Sequence, residues 1–209
     1  MSPFLRLVLF SSFAVTLAAQ SGGDVVSVEE ARNPLQGRSL HMILTAQEHL
    51  RSGQHERGMQ ELRDAMNDPV AMPYAITILG GEHVKAGQLD VALDELQQGV
   101  RLLPRSTTYS NLAYVLYLKK QTGRGLELAR KANQMDGGQP KTRLVLGLLL
   151  LQQGSHDAEA IRNLQAAAPE NPDAHLILAQ HYDWTGKAPE AEKERRAYAV
   201  TSMSLLAGK

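Results

Sequence analysis

Chemistry in this chain would have to be done by its seven histidines and the acidic residues around them, because it has no cysteine. Without thiols there can be no disulfide, no thiolate metal site, no cysteine nucleophile and no lipid anchor on an N-terminal cysteine. His49 and His83 occupy the same slot of two similar segments. Each is expected to be a half-buried ring between helices with one hydrogen bond. His175 and His181 are six apart, which puts them on different faces of a helix. His41 and His55 belong to different helices, and His156 falls in a turn beside Asp157. No two histidines stand at i, i+4 around a glutamate, so the zinc-protease pattern is missing. Gly123-Arg124-Gly125 is too short for a phosphate loop and follows a helix rather than a strand. The run with Glu190, Glu192, Lys193, Glu194 and Arg196 reads as a solvated helix face. No nucleophile has a plausible base. The expectation is a non-enzymatic protein with no metal and no cofactor.

The 209 residues balance 22 Lys plus Arg against 22 Asp plus Glu. Zero net charge argues against a general binder of nucleic acid or of acidic membranes. With 43% hydrophobic residues, a packed core is expected. The N-terminus stands apart. Arg6 is the only charged side chain before Asp24, and an apolar or small stretch runs from Leu7 to Ala19. Residues 1–19 therefore read as a secretory signal peptide cleaved after Ala18 or Ala19. The alternative is an uncleaved anchor helix, although the run is short of the roughly 20 residues that span a bilayer. Residues 20–38 read as a flexible lead-in, with capping-box spacing at Ser27-Val28-Glu29-Glu30 and a stop at Pro34. The expected location is exported, periplasmic or secreted.

The elements that position everything else come from a repeat. Gly53 and Gly87 are 34 apart, Gly87 and Gly154 are two such steps apart, and Gly186 follows at 32. The same small pattern returns around them. One copy is Ile76-x-x-Leu79-Gly80-x-x-His83, then Ala92, Leu96, Gly99 and Pro104; another is Arg143-x-x-Leu146-Gly147-x-x-Leu150, then Ala160, Leu164, Ala167 and Pro172. A third begins His175-x-x-Leu178-Ala179-x-x-Tyr182 and continues to Ala191. Glycine after a helix suits a left-handed cap, a small residue suits a helix crossing, and proline suits the exit from a unit. This pattern resembles the tetratricopeptide repeat, a pair of antiparallel helices about 34 residues long. The resemblance implies an all-α solenoid of five units, at about 39–71, 72–105, 106–138, 139–171 and 172–206, wound as a right-handed superhelix. Lys120 stands where the third unit lacks its turn glycine, the fourth needs an extra residue between Gly154 and Ala160, and Arg195 makes the final helix a polar cap.

In tetratricopeptide proteins the first helices of successive units line a concave groove for a peptide. The stripe carried over to this chain is Ile43, Gln47, Leu50; Thr77, Gly81, Val84; Ser110, Tyr114, Tyr117; Leu144, Leu148, Leu151; and Leu176, Gln180, Asp183, with Asn111 beside it. It holds no Lys or Arg, which speaks against capture of a carboxylate and suits an apolar peptide or amphipathic helix. Two readings stay open for its leucines: groove lining, or the solenoid's own core. The resemblance implies a protein-interaction scaffold or assembly factor of the bacterial cell envelope, whose partner is a segment of another protein and not nucleic acid. The alternative is a self-assembling homo-oligomer joined through the apolar tail of Tyr198, Val200, Met203, Leu205 and Leu206.

Overall fold

The computed structural model describes residues 35–154 and 157–207. Among these there are ten helices and no strand. They are α1 Gly37–Arg51, α2 His55–Ala65, α3 Met72–Lys85, α4 Leu89–Leu102, α5 Ser106–Leu118, α6 Thr122–Met135, α7 Pro140–Gln153, α8 Asp157–Ala167, α9 Asp173–Trp184 and α10 Ala188–Ala207. Each odd helix packs on the even helix after it, giving five helix pairs, and α5 also touches α3 and α7. The first helix begins at Gly37, inside the expected lead-in. The expected signal peptide, the capping-box segment and His156 lie outside the described residues.

The punctuation is local chemistry. Proline sits in the first turn of α3 and α7, where its missing N–H costs nothing. Gly87 and Gly154 close α3 and α7 with φ of 74° and 76°, a conformation glycine adopts without steric penalty. Lys120 takes the same conformation at φ 59° despite its side chain, so the third unit keeps the turn without the glycine.

Within each unit small residues set the distance between helices. A Cβ on Gly80 would lie 2.7 Å from Leu96 Cγ, and one on Gly147 would lie 2.7 Å from Leu164 Cγ. Gly58 is equally tight against Leu50 of its own unit, and Gly125 against Leu149 of the next unit. Gly125, part of the glycine pair around Arg124, is thus a packing residue. Ala92, Ala160 and Ala191 are completely buried where the second helix crosses the first. The interior runs on from unit to unit. Leu79 joins the cluster of the first unit, while Leu148 and Leu151 pack against the clusters on both of their sides.

Polar ties reinforce the seams. Asp68, in the turn after α2, accepts the N–H groups of Val70 and Ala71 and the hydroxyl of Ser39 on α1. The Ala71 N–H above all, with Ser39, Val70 and the charge of Arg38, outweighs partial desolvation and holds the Asp68 carboxyl below its usual range. Lys119 pairs with Asp90 at 2.5 Å and Arg130 with Glu159 at 3.2 Å, each joining adjacent units. On α10, the last described helix, two large apolar side chains face solvent. Its residues Val200 and Met203 are 69% and 71% exposed.

Candidate peptide-binding concavity

The histidines stand as structural ties. His49 Nδ1 lies 2.7 Å from Glu61 Oε2, and His83 Nδ1 lies 2.6 Å from Glu95 Oε2. Both rings are half-buried between the two helices of their unit, as expected from the sequence. His175 makes a third such contact, with Glu194 on α10 at 2.6 Å. The expected solvated run on that helix therefore has one inward-facing member, Glu194, and one buried one, Ala191. His181 is buried beside Tyr182 and Trp184. Among the described residues no three His, Asp or Glu side chains group as metal ligands would.

The stripe along the first helices splits by position. Counting from the small residue of each large-small pair (Ala46, Gly80, Ala113, Gly147, Ala179), the residues three before it face the seam between units. Ile43, Ser110 and Leu144 are buried there. Thr77 donates to the Pro73 carbonyl and meets Thr108 of the next unit, and Leu176 is half-buried. One residue after the small position come Gln47, Gly81, Tyr114, Leu148 and Gln180. Tyr114 is buried, Gln47, Gly81 and Leu148 are half-buried, and Gln180 is exposed. Four after it, Leu50, Val84, Tyr117 and Leu151 are half-buried against the interior, whereas Asp183 is exposed and accepts from Arg195. Asn111 is half-buried. For Ile43, Tyr114 and Leu144 the core reading holds. The half-buried members present one edge outward.

The opening of the concavity is lined further out on the same face, six residues before the small position and five after it. The first set is Leu40, Tyr74, Thr107, Lys141 and Asp173; the second is Arg51, Lys85, Leu118, Gln152 and Trp184. These positions extend the stripe by one helical turn at each end, since i, i+3, i+7 and i+11 share a face. Lys141, Leu144, Leu148 and Gln152 show the progression on α7. Lys85, Lys141, Asp173 and Trp184 lie outside the stripe legible in the sequence, in the first or last turns of their helices. Trp184 is 80% exposed. The absence of cations noted for the stripe does not extend to the face as a whole.

Charges on first helices two units apart act on one another here. Lys141 on α7 feels the charges of Lys85 and Glu82 on α3, two units back, and Tyr114 on α5 feels Asp173 on α9, two units on. Desolvation by the neighbouring helices pushes the Lys141 ammonium down to about 8, with Lys85 adding repulsion and Glu82 partly offsetting it. Its side chain nonetheless reaches solvent, from the open side. Burial pushes the Tyr114 hydroxyl up to about 12, helped by Tyr117 and Asp173, and raises Tyr117 and Asp173 as well. The rings of Tyr114 and Tyr117 stack at 6.0 Å and 16°. Lys85 is neutralised by Glu82 at 2.6 Å. The arrangement provides aromatic and aliphatic edges, a charged point and partial exclusion of water. A separate depression of about 350 Å³ lies between α4, α5 and α6, lined by Leu112, Leu116 and Leu128 with Arg101 and Arg124 at its mouth. It is wide open to solvent.

No family model matches the sequence, and no curated protein matches it. Solved structures do resemble it. Residues 41 to the end of MamA from Desulfovibrio magneticus RS-1 superpose with a TM-score of 0.60 at 17% identity, covering 81% of this chain and 98% of that one. TTC0263, a thermophilic TPR protein of Thermus thermophilus, gives 0.62 at 20% identity over 79% and 99%. Cut9–Hcn1, an APC/C hetero-tetramer, gives 0.70 at 16% identity, with 78% of this chain covering 34% of that one. With five helix pairs at the spacing of the repeat and these likenesses, the fold of this chain is the tetratricopeptide-repeat solenoid.

Proposed function

We propose that this chain is a non-enzymatic interaction scaffold that holds an apolar segment of another protein, extended or helical, against its concave face. The observation that carries the reading is the half-buried row of Tyr117, Leu148 and Leu151, backed by core on one side and bordered by accessible polar positions on the other. A packed interior covers such side chains fully, whereas a groove leaves an edge for a partner. Export to the bacterial envelope, from the apolar N-terminal run, belongs to the same proposal, and N-terminal sequencing of the protein from its native cell tests it.

The groove is tested by recovering a partner with the folded protein as bait, then measuring its affinity for Tyr117→Ala and Gln180→Arg variants alongside their melting. Loss of affinity by about 1–2 kcal/mol or more, after correction for the folded fraction, supports the reading. Unchanged affinity in both variants rejects it.

A second reading is favoured by the uncovered face of α10, where Val200 and Met203 are exposed. An exposed apolar patch on a solenoid helix invites stacking of another copy. Light scattering across the micromolar range decides it: a concentration-dependent dimer abolished by Met203→Glu supports self-assembly, and a monomer throughout ends it.

A further inference from the structure

We propose that the depression between α4, α5 and α6 is a second binding site, which takes an internal segment of a partner protein carrying an Asp or Glu beside a large apolar side chain. This goes beyond the groove reading and does not depend on it, since none of the lining residues belongs to the stripe of the concavity. The depression, about 350 Å³, lies between the second helices of two successive units, over α5. Leu112 and Leu116 of α5 are 5% and 1% exposed and close its floor. Val100 of α4 and Leu128 of α6, half-buried against the cluster that includes Leu112, complete the apolar surface. Arg101 of α4 with Arg124 and Glu127 of α6 supply the charges, and all three are exposed. Arg124 donates to the side-chain oxygen of Gln121 at 3.0 Å, a neutral acceptor. Among the described residues Arg101 and Glu127 take part in no hydrogen bond or ion pair, and no carboxylate pairs with Arg124.

Charge complementarity selects the occupant. Two guanidinium groups from two different helices flank an apolar floor, and neither has an acidic partner. Guanidinium forks suit a carboxylate, and donors from both sides fix its position. A neighbouring apolar side chain on the same segment then covers Leu112, Leu116 and Leu128 and takes their surface out of water. Because the depression is open to solvent, its occupant keeps one side wet. An amphipathic protein segment has such a side, whereas a hydrocarbon chain would be left half exposed. The same openness lets a chain enter and leave, so the carboxylate is that of a side chain and not of a chain end. Glu127, one helical turn from Arg124, disfavours a second acid close to the first. With the concavity, the chain holds two segments at once.

The experiment is a display selection of random peptides on the purified full chain, repeated on the double variant Arg101→Gln/Arg124→Gln, with circular dichroism melts confirming that both fold. The expected result is a class of peptides with Asp or Glu next to Leu, Ile or Phe, absent from the selection on the double variant. One such peptide, made with an amidated C-terminus, should bind the natural protein about tenfold more tightly than its Gln or Asn twin in calorimetry. The double variant should bind the two alike. Glu127→Gln should bind the acidic peptide more tightly, and Arg162→Gln/Lys193→Gln, which removes the same charge elsewhere, should bind it unchanged. Tyr117→Ala should also leave it unchanged. Absence of an acidic class, or one that binds the double variant as well as the natural protein, would overturn the site, as would equal weakening by Arg162→Gln/Lys193→Gln. Affinity that needs a free C-terminal carboxylate would overturn the internal segment. Affinity lost in Tyr117→Ala would move the peptide to the concavity and overturn the second site while leaving the groove reading standing.

Discussion

Lys141 makes a prediction about stability that is independent of any partner. Its ammonium titrates near 8 in the folded chain and in the ordinary lysine range, about 10.4, when unfolded. Between those values the unfolded chain binds more protons, so this group's contribution to stability rises as pH climbs from about 8 toward 10.4. Below 8 both states are protonated and the folded state carries the full desolvation penalty. Lys141→Met should therefore raise the melting temperature at pH 7, with a gain that fades above pH 8; a pH-independent difference would contradict this. Asp68 runs the other way. Its folded carboxyl lies below the ordinary range, so its contribution is present above about pH 4 and is lost as the pH falls through the folded value. At Gly87 the constraint is steric: with φ at 74°, Gly87→Ala should cost roughly 1–2 kcal/mol in denaturant unfolding. Lys120 holds the same conformation, so Lys120→Gly should not destabilise by a comparable amount.

Helices, turns and their pairing were legible in the sequence because each depends on a short-range rule. Ala92 and Ala160 had to be small, and they are completely buried at crossings. Ala92→Leu should overpack its crossing and cost about 1–3 kcal/mol by thermal melting. The histidines were legible as ties between helices, but their partners were not. Glu61 and Glu95 are 12 residues away on the second helix, and only the packing of that helix brings them to the ring. A double-mutant cycle of His83→Ala and Glu95→Ala should show coupling of about 0.5–1.5 kcal/mol, whereas additivity would mean that the contact contributes nothing. The concave face was legible in part. The stripe through Tyr117 and Leu148 came from one offset pattern, which also swept in Ile43 and Leu144, two residues committed to the seams. Periodicity gives the face of a helix but not how deeply a neighbouring unit covers it. Lys85, Lys141 and Trp184 were missed because the pattern was stopped a turn short of each helix end.

Curvature is what turns five ordinary helix pairs into a surface with two distinct sides. Charges two units apart interact on the inner side, as Lys141 with Lys85 and Tyr114 with Asp173 show, and that side carries the row of half-buried aromatic and aliphatic edges. Leu148 belongs to both aspects of the molecule, since it packs against the clusters on both of its sides and stays partly accessible. Leu148→Ala should therefore cost about 2–5 kcal/mol of folding stability and should be avoided as a pure probe of binding. Accessible positions are better probes. Thr107, Gln180 and Trp184 line the opening of the concavity, and Gln98 and Gln134 are exposed on second helices. The decisive measurement places a photo-crosslinking amino acid at each of these five positions in the native cell and identifies the adducts by mass spectrometry. Thr107, Gln180 and Trp184 should capture one and the same partner protein, with Gln98 and Gln134 capturing none of it. Capture of that partner from Gln98 and Gln134, with nothing from the three concave positions, would contradict it.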